Sequence, residues 1–246
     1  MKLLIKHITI FIFIGGIFFS CGKDSSCIKN TGKQTTEYRS INTVITKIKI
    51  EDNINLIITQ NNIPELKLEG GANLLPYIHT RLNGNTLEIS NGNKCNFLRS
   101  YKPKLTAYLS IPNLTEINYT GKGNVISEGV LNFPDFIVET RDGTGSVNLN
   151  LNSNNLSILS HTGATDFTIT GTTNYLYAFS GSNSWFHMKN LAANQVQVNS
   201  DGTGDISVSP NNNFLVELTS LGNVIYIGNP TLTISVNTGS GKIIKQ

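Results

Sequence analysis

Composition and charge leave few classes of protein open for this chain of 246 residues. Its 19 basic and 16 acidic side chains give a net charge of +3, and charged residues make up only 14% of the chain. A balance so close to neutral argues against nucleic-acid binding, which needs a concentrated basic face. Asn, Ser and Thr must therefore supply much of the polar surface.

Residues 1–20 are predicted to be a lipoprotein signal peptide. Lys2 and Lys6 form a basic beginning, and the apolar run Ile8–Phe19 is too short to span a bilayer, which needs about 20 residues. The run ends in Ser20-Cys21 and resembles a bacterial lipoprotein signal, in which the cysteine becomes the lipidated first residue. The alternative is an ordinary secretory signal followed by an incidental cysteine.

The next segment, residues 21–40, is polar and lacks periodicity, which predicts a flexible tether from the lipid. With Cys21 carrying lipid, Cys27 and Cys95 are the two cysteines that remain. Because an exported protein meets an oxidising compartment, we expect these two to form a disulfide. Two separate thiols are the alternative.

Residues 41–246 are predicted to form one continuous β domain whose N-terminal half is irregular. A short helical turn is expected at Asn73–Tyr77, and no linker divides the domain. Alternating apolar and polar residues predict the strands of the first half. They are Val44–Ile50, Ile54–Thr59, Glu65–Glu69, Thr86–Ser90, Lys104–Ile111 and Glu116–Tyr119.

A glycine-containing phrase returns throughout the second half. Its copies are GKGNV at 121–125, GTGSV at 143–147, GATDF at 163–167, GSNSW at 181–185, GTGDI at 202–206, SLGNV at 220–224 and GSGKI at 239–243. Alternating strands flank each copy, and a period near 20 residues is typical of a β-solenoid whose coils stack about 4.8 Å apart. The fold class predicted is therefore all-β, a parallel β-helix-like solenoid with Gly-x-Gly coils. The alternative, a hairpin-rich sandwich, usually repeats its turns every 8–12 residues.

Within each coil, the glycines are expected to provide the positive φ of a tight corner. Parity along the strands predicts an outward column of Arg141, His161 and Phe179 on successive coils. Such a column could stack on a sugar or on a partner's side chain, or could be a solvated ladder stabilised by its own contacts. Trp185, in the fourth phrase, is predicted to lie in the core with Phe186 and Met188.

The search for catalytic chemistry identifies no catalytic, cofactor-binding or metal-binding residues. Aligned on the phrase, Asp142 and Asp201 share one column and Asp166 and Asp205 another, but neither pair lies on adjacent coils. We interpret these carboxylates as turn residues that bond locally. The isolated histidines show no zinc-ligand spacing.

Several stretches resemble a family of bacterial lipoproteins that carry the putative auto-transporter adhesin, head GIN domain. They are IEDNINLIITQ at 50–60, LEGGANLLPYIHTRLNGNTLEIS at 68–90, CNFLRSYK at 95–102, IPNLTEINYTGKGNV at 111–125 and GNVIYIGNP at 222–230. The resemblance covers roughly residues 40–246. It implies a β-helical fold and a location at the envelope of Bacteroidota-like bacteria, and it implies nothing about chemistry.

The sequence thus favours a lipid-anchored binding or scaffold protein of the outer membrane, facing the periplasm or the cell surface, without catalysis or cofactors. Its expected partners are the membrane, through lipid at Cys21, and an envelope glycan or protein. Two alternatives remain: a polysaccharide-processing β-helix enzyme and a purely structural envelope component.

Overall fold

The chain folds into a β-solenoid of about six turns with stacked parallel coils, which confirms the predicted fold class. A computed structural model describes residues 30–41, 45–94 and 105–246. Within them the only helical element named is a 3-10 turn at Leu75–Tyr77, inside the predicted helical turn. The strands are β1 Gln34–Arg39, β2 Lys47–Asp52, β3 Ile54–Gln60, β4 Glu65–Gly71, β5 Ile78–Asn83, β6 Thr86–Asn91, β7 Leu105–Ile111, β8 Glu116–Gly121, β9 Val125–Ser127, β10 Leu131–Asn132, β11 Asp135–Thr140, β12 Ser146–Ser160, β13 Asp166–Ser180, β14 Trp185–Ser200, β15 Ile206–Leu218, β16 Val224–Tyr226, β17 Thr231–Asn237 and β18 Ile243–Lys245.

Two strands lie where the sequence predicted none. β1 occupies part of the segment expected to be a flexible tether, and it pairs antiparallel with β4. β5 forms an antiparallel hairpin with β6 across Gly84, whose φ is +62°. Both are edge elements whose side chains are largely exposed, so the alternation that marks a half-buried strand is weak in them.

Each regular coil has two legs joined by a bend. The first leg follows a glycine phrase, as in residues 146–152 of β12, and the second leg precedes the next phrase, as in residues 155–160 of the same strand. Both legs pair in register with the equivalent legs of β13. The inward residues alternate along each leg and form apolar columns, in which the rings of Phe167 and Phe186 stack with centroids 4.8 Å apart.

The N-terminal coils belong to the same stack but are not in sequence order. β2 lies between β6 and β8, and β3 lies between β7 and β9. The coil formed by β2 and β3 is therefore inserted between two coils that come later in the chain. Antiparallel β1, β4 and β5 cover this end of the stack, so the irregular first half both begins and caps the solenoid.

The glycines of the corners are required by close backbone approach, and the expected positive φ is found only at Gly163, where φ is +103°. In the GTGSV corner the left-handed residue is Asp142, with φ of +60°. A Cβ atom on Gly202 would lie 2.1 Å from the carbonyl oxygen of Ser182 on the preceding coil, and one on Gly204 would lie 2.0 Å from that of Ser184. At these two glycines the corners stack backbone on backbone, with no room for a side chain.

Buried hydroxyls line the inside of these corners. Thr140, Ser160, Ser180 and Ser200 follow Tyr119 in one inward column, and each is at most 1% exposed. A small hydroxyl fits at this position because the glycines fold over it: a Cβ on Gly143 would lie 2.3 Å from the Thr140 hydroxyl. Part of the column is bonded to hydroxyls of the corners, since Ser160 Oγ lies 2.7 Å from Ser184 Oγ.

No helix in the parts of the chain that the structure describes is long and apolar enough to cross a membrane.

Candidate functional site: the outward face of the second legs

The second legs of β12 to β15 present aromatic and amide side chains to solvent. Parallel pairing places Tyr175 in register with Gln195, and Tyr177 in register with Gln197. The next strand continues both columns with Asn213 and Leu215. We call these six outward residues the Tyr–Gln face: Tyr175, Tyr177, Gln195, Gln197, Asn213 and Leu215.

A shallow depression of about 280 Å³ lies on this face. Its lining includes Tyr175, Gln195, Gln197, Asn213 and Leu215. The Tyr175 hydroxyl donates to Gln197 Oε1 at 2.8 Å, which joins the two columns diagonally. The depression therefore combines fixed amide groups with an aromatic ring on a regular sheet.

The phenol of Tyr177 is a titratable group of this face whose pKa is shifted from its ordinary value. Burial raises the pKa of its phenol, and the negative charge of Glu217 and the nearby Tyr175 raise it further. The hydroxyl therefore stays protonated at physiological pH and is a hydrogen-bond donor. The face is thus suited to polar, uncharged contacts.

The three residues of the predicted outward column are close together, but in a different register. Phe179 pairs with Leu159, so it lies in the column of Glu139, two residues from that of Arg141 and His161. Contacts still connect them. Glu139 Oε1 accepts from Arg141 Nε at 3.1 Å and lies 3.2 Å from His161 Nε2, and the His161 ring lies 5.3 Å from that of Phe179.

The prediction that Trp185 lies in the core is wrong, whereas Phe186 and Met188 are buried as predicted. Trp185 is 48% exposed and pairs with the outward Asp166. The reason is the fourth phrase, where the first inward residue of the strand follows the leading Gly181 by five positions instead of four. The sequence could have shown this, because adjacent residues of a strand point to opposite faces and Trp185 directly precedes the inward Phe186.

The side-chain bonds described for Asp166, Asp201 and Asp205 reach the next coil and not the aspartate's own turn, which differs from the interpretation as turn residues that bond locally. Asp205 Oδ1 accepts from the backbone N of Asn223 at 2.8 Å and from its Nδ2 at 3.0 Å. Asp166 and Asp205 do share a column, with Trp185 between them. Asp201 does not share the column of Asp142, because its backbone N bonds to Ser180 O, one position out of the expected register.

The lipidation site Cys21 and the predicted disulfide partners Cys27 and Cys95 lie outside the described residues. Within the described ranges, no three His, Cys, Asp or Glu side chains are grouped so that they could hold a metal ion.

A stack of two-legged parallel β coils defines the class of β-solenoid proteins, and comparison with known proteins identifies the family. Residues 45–230 match the family model described as "Putative auto-transporter adhesin, head GIN domain". The chain belongs to this family, as its resemblance had indicated. No curated protein matches the chain significantly.

Solved structures of similar proteins include some from Bacteroides and Parabacteroides. A putative adhesin from Bacteroides fragilis is 26% identical, with a TM-score of 0.80, and the alignment covers 87% of this chain and 97% of that one. Two proteins from Parabacteroides distasonis are 19% identical, each with a TM-score of 0.61, and share the fold. One is called a putative adhesin and covers 87% of this chain and 98% of its own. The other is called a putative lipid binding protein and covers 89% and 99%.

Proposed function

We propose that this protein is a non-catalytic binding or scaffold protein of the cell envelope, anchored by lipid at Cys21, that recognises an envelope glycan or protein with its Tyr–Gln face. The single observation that carries the proposal is this face, with its shallow depression between Tyr175 and Leu215. Membership of an adhesin family and the similar Bacteroides protein support a binding role at the envelope.

The chemistry of the face suits a neutral, hydroxyl-rich or amide-rich partner. Tyrosine supplies a large contact area with few rotatable bonds, and side-chain amides both donate and accept hydrogen bonds. The Tyr175–Gln197 bond holds two of these groups in place before a partner arrives. Such preorganisation reduces the entropy lost on binding.

The neighbouring cluster of Arg141, His161 and Phe179 would extend the same surface. All three side chains lie on second legs or directly after them, on the outward side. Glu139 fixes the Arg141 guanidinium and the His161 ring. We propose that this cluster contacts the part of the partner that extends beyond the Tyr–Gln face.

A retention assay with the soluble chain 22–246 tests the proposal. Immobilised envelope polysaccharide and, separately, solubilised envelope proteins are the probes. We expect one of them to retain the wild type, and Tyr175→Ala and Tyr177→Ala to weaken retention at least about tenfold, as a loss near 1.4 kcal/mol would. Tyr38→Ala is the matched control, because Tyr38 is 64% exposed on β1, far along the stack.

Two outcomes would contradict the proposal in different ways. Equal retention of the wild type and all three variants would show that the Tyr–Gln face is not the binding site. Failure of both probes to retain the wild type would remove the binding function itself.

The anchor makes a separate prediction. Cys21→Ser should move the protein from the membrane fraction to the soluble fraction, because the remaining chain would carry no acyl group. Fractionation followed by immunoblotting measures this, with Cys27→Ser as the control. A Cys21→Ser variant that stays with the membrane would show that lipid at this residue is not the anchor.

The predicted disulfide is tested by mass spectrometry. A non-reduced digest of protein purified after export should contain the peptides of Cys27 and Cys95 joined together. A bridge that closes a loop of this length would stabilise the fold by roughly 4 kcal/mol in the chain-entropy model. Two free thiols would rule the bridge out.

A further inference from the structure

The exposed Trp185 is unexplained by the packing of the solenoid. It is the only tryptophan of the chain and is 48% exposed, while its neighbour Phe186 fills the core. Its backbone is held in the stack, since the backbone N–H of Trp185 donates to the carbonyl oxygen of Thr165 at 3.1 Å. Its ring lies nearly parallel to that of His187, with an interplanar angle of 15° and centroids 6.4 Å apart. A rigidly placed aromatic face is thus open to solvent on the first legs, away from the Tyr–Gln face.

Carboxylates flank this indole on both neighbouring coils. Asp166 and Asp205 are in register with Trp185, one on each side, at a strand spacing of about 4.8 Å. Asp166 is 60% exposed and its Oδ1 lies 3.1 Å from His187 Nε2. Asp205 is held by its two bonds to Asn223. The two aspartates are therefore the immediate neighbours of Trp185 in its column, each with its carboxylate held by another residue.

The nearest lysine of this column, Lys242, lies two coils beyond Asp205. The described residues within two positions of the column, 164–168, 183–187 and 203–207, contain no Lys or Arg. His187 is the only other titratable group among them. The surface around Trp185 is thus an aromatic ring in a locally negative environment.

We propose that Trp185, Asp166 and Asp205 form a second binding site, which takes an organic ammonium group. A cation within about 6 Å of the indole centroid is attracted by the negative face of the ring. The carboxylates of Asp166 and Asp205, whose backbones lie one strand spacing on either side of Trp185, attract the cation further. A neutral sugar would use the ring but would leave the paired negative charges uncompensated. This site is independent of the Tyr–Gln face and goes beyond the function proposed above.

Fluorescence of Trp185 reports binding directly, because the chain has no other tryptophan. Choline is titrated against its neutral isostere 3,3-dimethylbutan-1-ol, and Nα-acetyl-lysine methylamide against the norleucine analogue. The first pair represents a quaternary head group and the second a lysine side chain. We expect saturable quenching by at least one of the charged probes, weakened by added salt, and none by the neutral isosteres.

Substitutions are measured by calorimetry, so that loss of the fluorophore does not matter. Trp185→Ala should weaken binding of the ammonium probe about five- to thirtyfold. Asp166→Asn and Asp205→Asn should each weaken it about two- to fivefold, as expected for exposed charge pairs. Asp201→Asn is the matched control, because Asp201 is an exposed corner carboxylate outside this column.

Three results would overturn the proposal. They are the absence of saturable binding by either charged probe, equal binding of charged and neutral isosteres, and unchanged affinity in the Asp166→Asn and Asp205→Asn variants. Because the Tyr–Gln face is intact in all of these proteins, failure here leaves the retention assay unaffected.

Discussion

The two halves of the solenoid use the same coil but connect it differently. From β11 onwards, each coil pairs with its neighbour in the chain, so that Val147 lies beside Phe167 and Phe167 beside Phe186. In the first half, Lys47 pairs with Glu116, and Ile54 with Leu105. Local connection makes the repeat visible in the sequence and lets each coil form on the previous one. The long-range pairing of the first half does neither, and its end must be covered by antiparallel strands.

The largest effect should come from a corner of the sequential half. Gly202→Val places a side chain against the Ser182 carbonyl, and we expect a loss of about 3 kcal/mol in the free energy of unfolding, the upper end for overpacking. Since coils rest on one another, protection from hydrogen exchange should fall in β13 to β16 and remain in β2 and β3.

The control for this substitution is Thr168→Val, at an exposed position of β13, which should change stability by at most about 0.5 kcal/mol. Ser207, although it also alternates with core residues, is unsuitable because it is buried and donates to Phe186 O at 2.8 Å. Undiminished protection in the neighbouring coils of Gly202→Val would contradict stacking as the source of stability.

A smaller effect is expected at the junction of the two halves. The buried Tyr119 hydroxyl donates to Gly123 O at 2.6 Å and accepts from Gly145 N at 3.0 Å, so Tyr119→Phe leaves two backbone groups without their partner. We expect a loss of about 2 kcal/mol in the free energy of unfolding at pH 7. Urea unfolding followed by circular dichroism measures it.

The free energy of unfolding should also depend on pH through Tyr119. Burial raises the pKa of Tyr119 to about 12, above the value near 10 of the unfolded chain. Its contribution is therefore fully present below about pH 10 and is lost as the pH rises towards 12, where the unfolded chain releases the proton first. Tyr119→Phe should reduce this alkaline loss, and an unchanged slope between pH 10 and 12 would assign the loss to other groups.

The smallest effect should come from the side chain that fastens the inserted coil. Gln60, at the end of β3, donates from Nε2 to Pro112 O at 2.9 Å and accepts from Asn132 N at 2.7 Å. Gln60→Ala should cost about 1 kcal/mol and increase hydrogen exchange in β3 and β10 more than in β14. The exposed Asn62 provides the control substitution Asn62→Ala. Equal effects of Gln60→Ala and Asn62→Ala would show that Gln60 does not fasten the inserted coil.

Sequence patterns predicted the fold where the physics is local. Alternation located β2, β3, β4 and β6, and the recurring phrase located the corners. These sequence patterns could not show that β2 is inserted between β6 and β8, because no local pattern encodes a pairing between Lys47 and Glu116. The role of the corner glycines was also misjudged, since close approach between coils is invisible until the coils are stacked.

The candidate sites were less predictable than the fold. Register along the stack decides which outward residues meet, and a one-residue change in corner length moves every following side chain by one position. That change placed Trp185 outside, between Asp166 and Asp205. Phe179 precedes this corner, and its pairing with Leu159 places it in the column of Glu139 and not in that of His161. Tyr175 and Gln197 meet diagonally across two coils, which requires the register to be known.

The inserted coil also has a consequence for the time order of folding. During synthesis, which proceeds from the N-terminus, β2 and β3 appear early, but the strands on either side of them, β6 to β9, appear only later. Their apolar residues, such as Ile48 and Leu56, stay uncovered during this interval. Pairings so distant in sequence form slowly, and uncovered strand edges invite association with other chains. The strands that are synthesised first are therefore among those whose pairing is completed last, and this interval is when the protein most needs protection from aggregation.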